Sequence, residues 1–186
     1  MTRAANLGLD LQPHITAGRV ILRQIDPAEL SPGEFDQMLR LDVERNKTSV
    51  VLIDSASGYL MSMPQEKQLM LQLRELLSYL NLSGVLTLLA GPPTGLIGTV
   101  QGALNVSYIA DTIVLLGFFE ASVRVRKAVS IVKNRSGRHE DTIRELRIDS
   151  SGLRIGEVLA VFEGVLNGTP TYTGKPGLLL EDRPAA

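Results

Sequence analysis

The chain has 186 residues, 44% hydrophobic and 21% charged, which is the material of one compact domain with a real core rather than of a disordered segment. It contains no cysteine and only two histidines, His14 and His139, which excludes disulfides, cysteine–zinc sites and histidine-rich metal centres. The net charge is −1, no apolar run approaches the ~20 residues needed to span a bilayer, and the N-terminus lacks a charged-then-apolar leader pattern, so a cytoplasmic protein is expected.

In chain order, Arg3–Leu11 reads as the tail of a helix stopped at Gly8. Val20–Gln24 is a short strand candidate. Ser31-Pro32-Gly33-Glu34 predicts a helix start, with serine as N-cap, proline in the first turn and glutamate placed to close a capping box. Phe35, Met38, Leu39 and Val43 follow on one helical face. The continuous apolar run Val50–Ile53 predicts a strand buried on both faces of a parallel sheet, and it runs into the small polar loop Asp54-Ser55-Ala56-Ser57-Gly58. Pro64 opens a helix whose Leu69, Leu73, Leu76, Leu77 and Leu80 form a stripe, closed by Gly84. Val85–Ala90 is a further buried strand, followed by a loop rich in glycine and proline from Gly91 to Gly102, and Ile113–Phe119 is a fourth strand. This alternation predicts an α/β sheet with right-handed crossovers. Beyond Phe119 the segments Val125–Lys133 and Thr142–Ile148, with Ser136-Gly137 between them, predict an antiparallel hairpin at the sheet edge.

Two features carry chemistry. Between Arg124 and Arg147 eight Arg or Lys residues stand against three acids, on a chain that is otherwise acidic. Such a segment suits a phosphate, a nucleic acid or the acidic face of a second subunit, and equally a solvated hairpin. The run Val51-Leu52-Ile53-Asp54 has the form of a Walker B strand. Ligands of α/β sheets sit beyond the carboxyl ends of strands, where an acid can hold Mg²⁺ beside nucleotide phosphates. An aspartate that merely starts a loop or caps a helix looks the same. The partner motif, a P-loop ending in Gly-Lys-Ser/Thr, occurs nowhere in the sequence. Gly91–Thr99 imitates it after a strand, but lacks the lysine and has Leu96-Ile97 where glycine and lysine belong, so it is expected to be an ordinary loop at the carboxyl edge.

Several segments together resemble KaiC-type ATPases of the RecA superfamily: Val51–Ser55 with Gly58-Tyr59, Val106–Leu116, Arg126–Gly137, His139-Glu140 with Thr142–Glu145, and Gly164–Pro170. The resemblance covers roughly residues 3–174. It implies a RecA-like P-loop NTPase core, a mostly parallel sheet flanked by helices, with the antiparallel hairpin at its C-terminal side. In that family the P-loop and catalytic glutamates precede the stretch that begins here at Arg3. Residues 1–174 are therefore expected to be a partial domain followed by a tail, 175–186, and the chain alone is not expected to hydrolyse ATP. The family implies ATP and Mg²⁺ as ligands, bound between protomers of a hexameric ring, with a Lys-x-Arg pair reaching the γ-phosphate across the interface. Lys133 and Arg135 match that pair, and two residues apart at a strand end they point to one side. An arginine supplied in trans stabilises charge on the transferring phosphoryl group; the plainer alternative is a pair of edge charges that discourages strand pairing. Asp54 would be the metal-side carboxylate and Ser55 would order its loop. The family's autophosphorylated Ser-Thr pair is matched by Ser107 and Tyr108, leaving Ser107 as the phospho-acceptor candidate, and Pro92-Pro93-Thr94-Gly95 replaces a Gln-His-Gly-like element. Both departures suggest a bacterial homologue outside the clock rather than the oscillator itself; the resemblance further implies a signalling or regulatory role with a partner protein.

Three rivals stand beside this reading. A nucleic-acid module built on the basic hairpin is disfavoured because no aromatics interleave the cations to stack on bases. A receiver domain with Asp54 as phospho-acceptor needs an acidic pair and a later lysine, whereas Asp26 is a lone acid and the loop after Ala90 has no lysine. A non-catalytic assembly module is the third. His139 and Glu140 are expected to shape the hairpin turn.

Overall fold

The computed structural model describes residues 2–26, 29–55, 66–91, 109–121, 123–165 and 171–173. Its elements fall into two compact units. One holds the short helices α1 (Thr2–Ala5) and α2 (Gln12–Thr16) and strands β3 (Thr112–Ala121), β4 (Arg124–Asn134), β5 (Arg144–Asp149), β6 (Gly152–Val158), β7 (Phe162–Glu163) and β8 (Thr171–Tyr172). The other holds helix α3 (Pro32–Asn46), strand β1 (Val50–Asp54), helix α4 (Glu66–Leu82) and strand β2 (Leu86–Ala90).

In the α3–β2 unit the expected capping box is formed. Ser31 Oγ accepts the Glu34 N–H at 3.3 Å, and Glu34 Oε2 accepts the Ser31 N–H at 2.9 Å. Strands β1 and β2 pair in parallel from Val50↔Leu86 to Asp54↔Ala90. The leucine stripe of α4 supplies the core: Leu69, Leu73, Leu76 and Leu80 are fully buried. Leu76 and Leu80 pack with Leu39, Val51 and Val85, flanked by Phe35, Met38 and Val43. Each such burial stabilises by about 2 kcal/mol. Gly84 stops α4 with φ of 72°. Its N–H donates to Asn81 O and that of Val85 to Leu80 O, both at 2.9 Å, which folds Val85 back onto Leu80. The expectation that β1 is buried on both faces fails. Val51 is buried, but Val50, Leu52 and their register partners Leu86 and Leu88 are exposed, because among the described elements α3 and α4 cover one face of this two-stranded sheet.

In the other unit β3, β4, β5 and β6 form a four-stranded antiparallel sheet in chain order. The predicted hairpin is present as β4 and β5, joined through Lys127↔Leu146, Ala128↔Glu145 and Val129↔Arg144. Its setting differs from the expectation. Ile113–Phe119 belongs to β3, which pairs antiparallel with β4 along its whole length, from Thr112↔Asn134 to Ala121↔Arg124. The described sheet is thus a meander rather than a hairpin appended to a parallel sheet, because Ala121 pairs with Arg124 three positions on, a return too short for a parallel crossover. One face carries the core of Phe119, Ala121, Ala128, Leu159, Phe162 and Val165, with Phe119 and Phe162 edge to face at 5.4 Å. The other presents Val114, Leu116 and Phe118 to solvent. Val20–Gln24 is not a strand: the Arg19 and Val20 N–H groups both return to His14 O, closing the end of α2.

Candidate functional site

β4 is rich in β-branched residues, which favour an extended pleated backbone, and its carboxyl end carries the Lys-x-Arg pair. A register shift between Ile113 and Val114 marks a β-bulge: Val114 faces Ile131 and Ile113 faces Lys133, leaving Val132 as the extra residue. Bulges re-aim side chains, and this one makes Lys133 the partner of Ile113. Its Nζ donates to the Ala110 carbonyl at 2.8 Å. Arg135, one residue beyond the strand, donates its N–H to Asp111 O at 2.9 Å and sets Nη1 at 3.5 Å from Asp111 Oδ1. The two cations therefore converge on one dipeptide, Ala110-Asp111, at the entrance of β3. Thr112 and Asn134 close the same junction through a side-chain hydrogen bond of 3.3 Å. Sequence reasoning found Lys133 and Arg135 but gave Ala110 and Asp111 no role. The pairing joins residues more than twenty apart and becomes visible only once β3 and β4 are antiparallel.

Asp54 is the last residue of β1, at its carboxyl end, exposed and opposite Ala90 in the parallel register. Ser55 follows, half-buried, through a cis peptide bond. Both lie in the α3–β2 unit, whereas Lys133 and Arg135 lie in the other. Ser107 and all of the Gly91–Thr99 loop beyond Gly91 lie outside the described residues, as does the 175–186 tail. Among the described residues no three His, Cys, Asp or Glu side chains gather as a metal cage. A lone exposed carboxylate at a strand end still fits Mg²⁺, which binds through one or two carboxylates and otherwise through water and phosphate oxygens. A cleft of 570 Å³ along α3, lined by Arg23, Gln37, Met38, Leu41, Asp42 and Arg45, contains none of the predicted site residues.

Three cations of the basic segment are paired with nearby carboxylates. Arg126 pairs with the buried Glu145 at 2.8 Å, Arg144 with Glu140 at 2.7 Å, and Arg147 with Asp149 at 3.5 Å. Glu140 also accepts the Thr142 hydroxyl, and that bond, with Arg144, holds its carboxyl below the usual carboxylate range. Glu140 thus pins the connection between β4 and β5, as its sequence position suggested.

The family model described as ATPase: KaiC matches residues 1–160. The chain is 27% identical to the circadian clock protein KaiC3 of a Synechocystis strain over 140 residues, covering 74% of this chain and 27% of that protein. It is 24% identical over 170 residues to the circadian clock oscillator protein KaiC of Parathermosynechococcus lividus, covering 90% of this chain and 31% of that one. Over a shorter stretch of 67 residues, 36% of this chain and 13% of its relative, it is 37% identical to the circadian clock oscillator protein KaiC of Thermostichus vulcanus. The chain spans less than a third of the length of these curated relatives.

Proposed function

This chain belongs to the KaiC ATPase family, and from that premise we propose that it is the portion of a RecA-like ATPase domain that meets Mg·ATP from two directions. Asp54 serves the site of its own subunit, as the carboxylate on the metal side, with Ser55 ordering the turn that follows. Lys133 and Arg135 serve the site of the neighbouring subunit in a ring, as a clamp on the terminal phosphates. The observation that carries the reading is the convergence of these two cations on Ala110-Asp111 at the strand end, where a bulge re-aims Lys133. A compact ammonium and a planar guanidinium side by side are suited to a polyphosphate: the first as a point charge, the second as a fork for two oxygens. Mg²⁺, when bound beside Asp54, would neutralise negative charge on the nucleotide phosphates. The reaction of the whole site is ATP hydrolysis or phosphoryl transfer to a serine or threonine, with Ser107 as the acceptor in this chain.

Nucleic-acid binding through the basic segment is the weaker reading, because Arg126, Arg144 and Arg147 are already committed to carboxylates within the sheet. The sequence contains no Gly-Lys-Ser/Thr to cradle the β- and γ-phosphates. Calorimetric titration of this chain with Mg·ATP is therefore expected to show no micromolar binding. Micromolar binding abolished by Asp54→Ala would overturn the two-sided reading, since a complete site would then lie within one chain. In an assembled ring, Arg135→Ala is expected to lower ATP turnover by on the order of 10³-fold, as removal of a trans arginine does.

A further inference from the structure

Both clamp cations have partners within their own chain, and they are held in two different ways. Lys133 rests on a neutral acceptor, the Ala110 carbonyl, at 2.8 Å, with its side chain half-buried. Arg135 faces the Asp111 carboxylate at 3.5 Å, with the two side chains 52% and 58% exposed. A long, exposed ion pair holds weakly. A phosphoryl group offers the same guanidinium two oxygens and more charge, so it is the stronger partner. The Arg135 N–H to Asp111 O bond of 2.9 Å keeps the two backbones together whichever partner the guanidinium takes.

We propose that Asp111 is a positioning residue for the clamp: it parks the Arg135 guanidinium on its own subunit and is exchanged for a phosphoryl oxygen when a polyphosphate arrives. Lys133, anchored on an uncharged carbonyl, stays in place as the fixed point of capture. This deepens the clamp reading above and rests on it. Asp111 then sets the affinity of the clamp, because the carboxylate competes with the ligand for Arg135 and repels the incoming negative charge.

The test is titration calorimetry of the full chain with inorganic triphosphate at low ionic strength. Asp111→Asn is expected to tighten binding about two- to fivefold, the range set by loss of one exposed ion pair. Asp111→Glu restores the carboxylate and is expected to return the affinity to that of the wild type. Glu157→Gln removes an exposed negative charge from β6 instead and is expected to change the affinity by less than Asp111→Asn. The gain from Asp111→Asn is expected to vanish in the Arg135→Gln background, as coupled residues require. A gain no larger than that of Glu157→Gln, or one that persists without Arg135, overturns the proposal. If Arg135→Gln weakens binding while Asp111→Asn does not tighten it, the parking role alone falls. If Arg135→Gln and Lys133→Gln both leave the affinity unchanged, or no variant binds triphosphate at millimolar concentration, the clamp reading falls with it. Should Asp111→Asn lose the wild-type circular dichroism spectrum, Asp111→Ser serves the same comparison.

Discussion

Val123 stands in the turn between β3 and β4 with φ of 62° and its side chain 96% exposed. A β-branched residue in the left-handed region crowds its own carbonyl, which costs about 1–2 kcal/mol, whereas asparagine tolerates that conformation. Val123→Asn is therefore expected to stabilise the chain by about 1 kcal/mol, read as a higher denaturant midpoint at constant slope. Nothing in the sequence around Ser122-Val123 announces a hairpin turn, since the usual Asn-Gly or Asp-Gly pair is missing. For that reason the adjoining Ile113–Phe119 read as one more parallel strand. Lys133 and Arg135 stand out in the sequence as candidates because their spacing and the family resemblance coincide in one short segment. Asp111 does not, because its partner lies on the next strand.

At the scale of elements, the β5–β6 turn is tied by one carboxylate. Asp149 accepts the Ser151 N–H at 2.9 Å and the Ser151 hydroxyl, and it binds Arg154 and Arg147. The Ser151 hydroxyl first, and then Arg154, hold its carboxyl far below the usual range; Glu140 is lowered by Thr142 and Arg144. A carboxylate whose folded pKa is depressed stabilises fully above its unfolded pKa, about 4, and loses that stabilisation as pH falls toward its folded value. The melting temperature should therefore be insensitive to these groups from about pH 5 upward and fall progressively below about pH 4. Asp149→Asn should flatten that acid limb, which a series of thermal melts across pH would reveal. Elements with local signatures were legible in the sequence: the Ser31 capping box, the α4 leucine stripe and the Gly84 stop each depend on residues within a turn of one another. Val20–Gln24 was misread because an apolar run says nothing about whether a partner strand exists.

At the scale of the molecule, the β1–β2 and β3–β6 sheets leave apolar side chains in water. Leu52 and Leu86 are 65% and 59% exposed in one unit, and Leu116 and Phe118 are 60% and 67% exposed in the other. The apolar run at β1 correctly indicated a strand, but the expected burial on both faces fails, since the described helices cover one side of it. Contiguous apolar surface of this kind promotes association. The chain alone is expected to self-associate with rising concentration, and Leu116→Glu is expected to reduce the effect in light scattering without changing the circular dichroism spectrum. An unchanged scattering profile would show that this face does not drive association.

The meander has a kinetic consequence. Strands β3 to β6 pair in chain order, and two residues alone separate the paired ends Ala121 and Arg124 and the paired ends Asp149 and Gly152. The parallel pair β1–β2 must instead wait for residues 55–85 to be spanned before its first bond forms. Closing longer loops costs more entropy and slows folding. Strands β3 and β4, whose ends hold Asp111, Lys133 and Arg135 together, therefore zip together locally, so the cation pair acquires its geometry without waiting for the parallel strand that carries Asp54.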